Sequence, residues 1–223
     1  MSLTIAMDGP VGAGKSSVAD AVAQRLGILH LDTGAMYRAL GLEAIRKGID
    51  LQDERAVEAL HAETIIGVAH TSRGQRTSVN GEDVTEMIRT PEVSMAASTV
   101  SRYAGVRKRM VERQQALAAE RDMLLDGRDI CTTVLPNATV KIFLTASPEE
   151  RARRRWKEMQ EKGLKDSYEE VLSELKKRDD QDMHRAVEPL RKAEDAVLVD
   201  TTEMDFDESV NMILRIVEEK KHA

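Results

Sequence analysis

The chain has 223 residues, enough for one α/β domain with insertions or two small domains, and a net charge of −6. That acidic balance excludes a general nucleic-acid or membrane-surface binder, and aromatic residues at 3% leave little material for base-stacking platforms. A single cysteine, Cys131, rules out an internal disulfide or a cysteine metal site; no run approaches the roughly 18 apolar residues of a membrane span, and Met1-Ser2-Leu3-Thr4 lacks a signal layout, so a cytoplasmic protein is expected.

The first element is a strand-sized apolar run at residues 3–7, closed by Asp8. Gly9-Pro10-Val11-Gly12-Ala13-Gly14-Lys15-Ser16 follows and fits the phosphate-binding pattern G-x-x-x-x-G-K-[ST]. Glycines let the backbone curl around phosphate oxygens, and the helix opening near Lys15 aims unpaired N–H groups and its positive end at them. Lys15 is placed to bridge the outer phosphates and Ser16 to ligate the Mg²⁺ that accompanies a triphosphate, with Ser17 completing the loop. The helix after it carries Val18, Ala21, Val22 and Leu26 on one face.

Further short apolar runs at residues 28–31, 123–125, 140–144 and 196–199 alternate with helical patterns. Together with the first they predict a five-stranded, mostly parallel sheet flanked by helices, with ligands at the strands' carboxyl ends. Asp8, Asp32, Asp126 and Thr145 fall at or just beyond those ends. Two interruptions break the alternation. Between the second and third strands come helices over about 36–46 and 54–63, then residues 64–69 and 75–79 flanking the turn-rich Ser72-Arg73-Gly74, with Asn80-Gly81 as a second turn signal. These predict a small antiparallel sheet, after which a helix around 106–120 returns to the main fold. After Ser147-Pro148 a very basic helix begins, with Arg151, Arg154 and Arg155 on one face at i, i+3, i+4 spacing, followed by Gly163 and a helix to about Asp180. The expected organisation is a core of residues 1–36, 106–148 and 168–223, an acceptor-binding insert at 37–105 and a helical lid at 149–167.

Two inserts on such a core suggest a nucleoside monophosphate kinase. Asp32-Thr33-Gly34-Ala35-Met36-Tyr37-Arg38, the segment from Ile88-Arg89-Thr90 to Ala96-Ala97-Ser98, Asp126-Gly127-Arg128-Asp129, and Arg178-Asp179-Asp180-Gln181-Asp182-Met183-His184-Arg185 narrow the kind. With the phosphate loop, these ordered motifs make nearly the whole chain resemble the bacterial cytidylate kinases. The resemblance implies an ATP-dependent kinase of CMP, and of dCMP, with Mg²⁺ carried as Mg-ATP, acting as a monomer without nucleic-acid or membrane partners.

Carried over residue by residue, it implies that Arg38, Arg128 and Arg185 face the acceptor phosphate, where guanidinium forks suit phosphate oxygens and never lose their charge. Asp129, Arg107 and Ser98 would meet the base: cytosine offers an amino donor beside ring acceptors, whereas uracil would turn a carbonyl toward the carboxylate. Arg178 and Asp182 would contact the sugar, and Thr33 would line the acceptor pocket. Arg154 and then Arg155 of the lid would join Lys15 and Arg128 in stabilising the transferred group. Asp126 resembles the carboxylate that holds Mg²⁺ through water. The residues by themselves leave alternatives open: Asp126 capping the next turn, Arg178 with Asp182 as an exposed helical pair, Ser98 and Thr33 as helix caps. Trp156 and Cys131 read as packing residues and His30 as a core histidine; His61, His70, His184 and His222 show no metal-ligand spacing. One departure is Lys15-Ser16-Ser17, where many of the resembled proteins place a threonine in one of the last two positions.

Overall fold

The computed structural model describes residues 3–71, 74–161 and 163–221; Ser72 and Arg73 of the expected turn, and His222, lie outside the described residues. The chain divides into two compact units, Met1–Ile28 with Asp122–Ala223, and Leu29–Arg121, the second containing the whole of the expected insert at 37–105.

In the first unit, β1 (Thr4–Asp8) pairs in parallel with β6 (Met123–Gly127) on one side and β7 (Val140–Thr145) on the other, and β7 pairs with β8 (Val197–Asp200). Ile5, Ala6, Met7 and Asp8 are all fully inaccessible, as a central parallel strand covered on both faces requires. Helix α1 (Lys15–Leu26) and helix α8 (Phe206–Lys221) cover this sheet. Val18 and Val22 of α1 join Val210, Ile213 and Val217 of α8 and the strand residues Ile5, Met7, Leu124, Ile142 and Leu144 in one apolar cluster. A second cluster forms where α6 (Pro148–Glu161) packs on α7 (Tyr168–His184): Ala152 and Met159 meet Val171 and Leu175, with Val11 of the phosphate loop and Trp156 against them. Trp156 packs there as expected, its indole N–H donating to the Asp166 carbonyl at 3.1 Å.

The second unit opens with β2 (Leu29–Asp32), the fifth strand of the main sheet, whose order is β2-β6-β1-β7-β8. Asp32 caps α2 (Thr33–Arg46), which therefore starts three residues before the predicted helix. Gly41 lets α2 approach α4 (Pro91–Val100) closely: a Cβ there would lie 3.0 Å from the Ala97 amide nitrogen. α3 (Glu54–Glu63) and α5 (Ala104–Ala119) complete the helical part. β3 (Ile66–Thr71), β4 (Gly74–Val79) and β5 (Glu82–Asp83) form the separate three-stranded antiparallel sheet.

Candidate active site

Because β1 ends in Asp8 and α1 begins at Lys15, the loop between them must reverse within six residues, and glycine makes the reversal possible. Gly9 has φ +155°, and a Cβ on it would lie 1.9 Å from the Leu144 carbonyl oxygen of the neighbouring strand. Gly14 is left-handed at the N-cap of α1, leaving the first turn's N–H groups directed out of the helix end. Lys15 folds back over the loop, its Nζ donating to the Pro10 carbonyl at 2.8 Å. Burial of this ammonium, reinforced by the nearby Arg128 charge, pulls its pKa down to about 7 against the upward pull of Asp126.

The two oxygen ligands expected for a divalent cation are brought together: the Ser16 hydroxyl donates to Asp126 Oδ2 at 2.9 Å. Asp126 is thus directed at the phosphate loop and not simply at its own following turn. Hard oxygen donors beside the helix N-terminus that follows the phosphate loop fit Mg²⁺, which keeps several waters and takes few protein ligands. Among the described residues no group of three or more His, Cys, Asp or Glu side chains could by itself hold a metal ion.

Beyond Asp126 the chain makes a single π-type turn, Ile130–Val134, and Asp8 holds that turn in place. Its two carboxylate oxygens accept the backbone N–H groups of Ile130 and Cys131 at 2.8 and 2.7 Å. Burial pushes Asp8 up to about 6, against these two hydrogen bonds. Arg128 and Asp129 stand immediately before this turn, Asp129 at its N-cap. Arg128 Nε pairs with Asp182 at 2.8 Å, and Arg185 lies 3.7 Å from the Asp129 carboxylate, both side chains of that second pair under one-tenth exposed. Asp182 therefore serves α7's long-range contact to Arg128 and is more than a helical-spacing partner of Arg178. Although burial opposes the charge on each, Arg128 and Asp182 hold one another ionised. Arg178, one turn earlier on α7, has its pKa lowered by burial and then by Arg128. Cys131 fills space between Ala6 and Ile142, and burial pushes its thiol up, which makes it inert.

The basic helix separates into three environments. Arg151 is buried: it pairs with Asp179 at 2.7 Å and donates to the carbonyls of Val11 and Ala146. Arg154 bonds the Glu150 carboxylate and the Thr201 carbonyl, the latter at 2.6 Å. Arg155 makes only a half-exposed pair with Glu158 at 3.1 Å. Sequence reasoning singled out the last two and read Arg151 only as part of a charged face. An arginine four residues past Ser147, at the first position of the run that points back toward the phosphate loop, was the available signal.

In the second unit Asp32 accepts the Ala35 N–H at 3.0 Å and Arg38 at 2.7 Å, and Thr33 is buried in the first turn of α2. Arg38 and His30 hold the Asp32 carboxyl below the usual range although burial opposes them. Arg107 is buried on α5, donates to the Ser101 carbonyl at 3.1 Å and sits 5.8 Å from the Tyr37 ring centroid. The Ser101 hydroxyl in turn donates to the Ser98 carbonyl, so Ser98 of α4 and Arg107 of α5 are linked through Ser101.

Residues 5–219 match the family model described as Cytidylate kinase. Two curated relatives carry the same name: one from Bacillus licheniformis, 50% identical over 98% of this chain and 97% of its own, and one from Desulforamulus reducens, 52% identical over 97% of each. Among solved structures, the shikimate kinase from Bacteroides thetaiotaomicron superposes with a TM-score of 0.50 at 13% identity, covering 98% of this chain and 99% of that one; this likeness concerns the fold.

Proposed function

The chain belongs to the cytidylate kinase family, and on that premise we propose that it transfers the γ-phosphoryl group of ATP to CMP and dCMP, releasing ADP and the diphosphate. The observation that carries this reading is the pair of backbone hydrogen bonds accepted by Asp8. The residue that precedes the phosphate loop also pins the turn that directly follows Arg128 and Asp129, so donor and acceptor groups are built on adjacent strand ends.

In this reading Gly9 to Ser17 wrap the donor phosphates and Lys15 spans the outer ones. Mg²⁺, held by Ser16 and through water by Asp126, would neutralise phosphate charge when bound. Arg38, Arg128 and Arg185 receive the acceptor phosphate and offset the repulsion between two anions that must approach. Asp129, Arg107 and Ser98 take the cytosine edge, Arg178 and Asp182 the sugar, and Thr33 the pocket wall. The attacking phosphate oxygen is already largely ionised near neutral pH, so no general base is required; positioning and charge stabilisation supply the acceleration.

Residues 149–167 act as the lid in this account. Arg154 must give up its bonds to Glu150 and Thr201 to reach a phosphate, whereas an exposed pair such as Arg155 with Glu158 is worth only about 0–1 kcal/mol and is cheap to release. The reading also places the chain in the cytoplasm as a monomer. Among the described residues no helix is long and apolar enough to cross a membrane.

The test is ADP release from Mg-ATP with CMP, dCMP, UMP, AMP, GMP and no acceptor in parallel. Fast release confined to CMP and dCMP is expected. Slow release independent of acceptor would overturn the reading in favour of a nucleotide-dependent switch.

A further inference from the structure

β2 is the outermost strand of the main sheet, and such an edge normally needs a cover. Residues two apart on a strand direct their backbone groups to the same edge, and here His30 and Asp32 are met by two side chains. His70 Nε2 bonds the His30 carbonyl at 2.6 Å. The Gln75 amide accepts the Asp32 N–H at 2.8 Å and donates to the Asp32 carbonyl at 3.3 Å, reproducing the two bonds of a peptide rung. His70 and Gln75 stand directly opposite one another on β3 and β4, so a single cross-strand pair of the small antiparallel sheet covers the end of β2. Thr77 holds the Gln75 amide from behind at 3.2 Å.

The residue so gripped also holds Arg38. Asp32 caps α2 with one carboxylate oxygen and binds Arg38 with the other. The guanidinium lies close over Gly34, where a Cβ would come within 3.0 Å of Arg38 Nη1 and 3.1 Å of Asp32 Oδ1. Backbone, carboxylate and guanidinium thus form a short chain with little slack.

We infer that Gln75 is a positioning residue for phosphoryl transfer: by fixing the Asp32 backbone it sets where Arg38 presents its guanidinium to the acceptor phosphate, which gives the small sheet a part in catalysis. This rests on the proposed role of Arg38. Displacements of about 1 Å at a positioned group can cost up to about a hundredfold in rate, so a remote amide can matter without touching substrate.

The experiment compares Gln75→Leu, Arg38→Ala and the double variant by steady-state kinetics with CMP and ATP, alongside Tm. Gln75→Leu is expected to lower kcat/KM for CMP about tenfold while KM for ATP stays within about twofold, and to add less than about twofold once Arg38 is alanine. An equal loss in both backgrounds, an equal effect on ATP, or no effect overturns the inference. If Gln75→Leu does not fold, Gln75→Asn, which keeps the amide but falls one methylene short, is held to the same criteria. If Arg38→Ala leaves CMP turnover intact, the reading of Arg38 fails and the inference with it. If Arg38→Ala is damaging and both Gln75 variants are silent, the inference alone fails.

Discussion

Binding ATP should make this protein take up a proton above neutral pH, and Lys15 is the reason. Lys15 is 6% exposed with its Nζ bonded to one loop carbonyl, and burial, reinforced by the nearby Arg128 charge, brings its pKa from 10.5 to about 7. Phosphate oxygens supply the counter-charge that the loop carbonyl cannot, so the bound complex returns the group toward its ordinary value. With a free-state value of about 7, the lysine is protonated to roughly 0.1 at pH 8 and roughly 0.5 at pH 7, and nearly fully in the complex. Uptake is then about 0.9 proton at pH 8, about 0.5 at pH 7 and about 0.1 at pH 6, and affinity falls toward tenfold per unit as the pH climbs past 8. Calorimetric titration of Mg-ATP in two buffers of different ionisation enthalpy reads the proton number directly. Lys15→Arg is the control, because guanidinium stays protonated throughout and its uptake at pH 8 should vanish. Binding at pH 8 with no difference between wild type and Lys15→Arg would refute the reasoning.

Three further outcomes follow from buried charge. Arg151→Ala strands Asp179 in the interior and should cost about 3–5 kcal/mol in a urea titration, whereas Arg151→Met with Asp179→Leu should recover much of it; additive losses would contradict the pairing. Asp8 carries the opposite sign from a salt-bridged carboxylate. Its folded-state value, about 6 against an ordinary 3.8, means that the native protein holds the proton more tightly, so this contribution is complete below about pH 4 and is lost as the pH rises through 6. The difference of about two pKa units corresponds to about 3 kcal/mol, and Asp8→Asn should flatten that slope in denaturation midpoints taken from pH 4 to 8. Asp129→Asn keeps the shape of the side chain while removing the charge; kcat/KM for CMP should fall at least about tenfold with KM for ATP nearly constant, and equal losses in both would remove Asp129 from base recognition.

The phosphate loop and the alternation of strands with helices were legible because each is a local pattern. The apolar runs that close at Asp8, Asp32 and Asp126 became β1, β2 and β6, and the turn signals around Gly74 and Asn80-Gly81 became the small sheet. Helix α4 was marked only by its cap: Thr90 accepts the Val93 N–H and Pro91 occupies the first turn, while Ala96, Ala97 and Ser98 offered no strong amphipathic period. The division of labour among Arg151, Arg154 and Arg155 was not legible at all. All three share a helix face, and their environments are set by Asp179, Thr201 and Glu158, two of which come from other elements. Gln75 escaped for the same reason: a polar residue in a short alternating strand reads as a solvated position, and only the three-dimensional pairing brings it to the edge of β2. Among the candidate residues, sequence spacing suggested Arg178 as the partner of Asp182, and the fold supplied Arg128.

The central claim is phosphoryl transfer to a cytosine monophosphate chosen by its base edge. It is tested most directly by incubating the protein with ATP labelled at the γ-phosphate and an equimolar mixture of CMP and UMP, then separating the products. The account predicts label in CDP with little in UDP and little in inorganic phosphate. Label shared equally between CDP and UDP would contradict recognition through Asp129, and label found chiefly in inorganic phosphate would contradict the kinase itself.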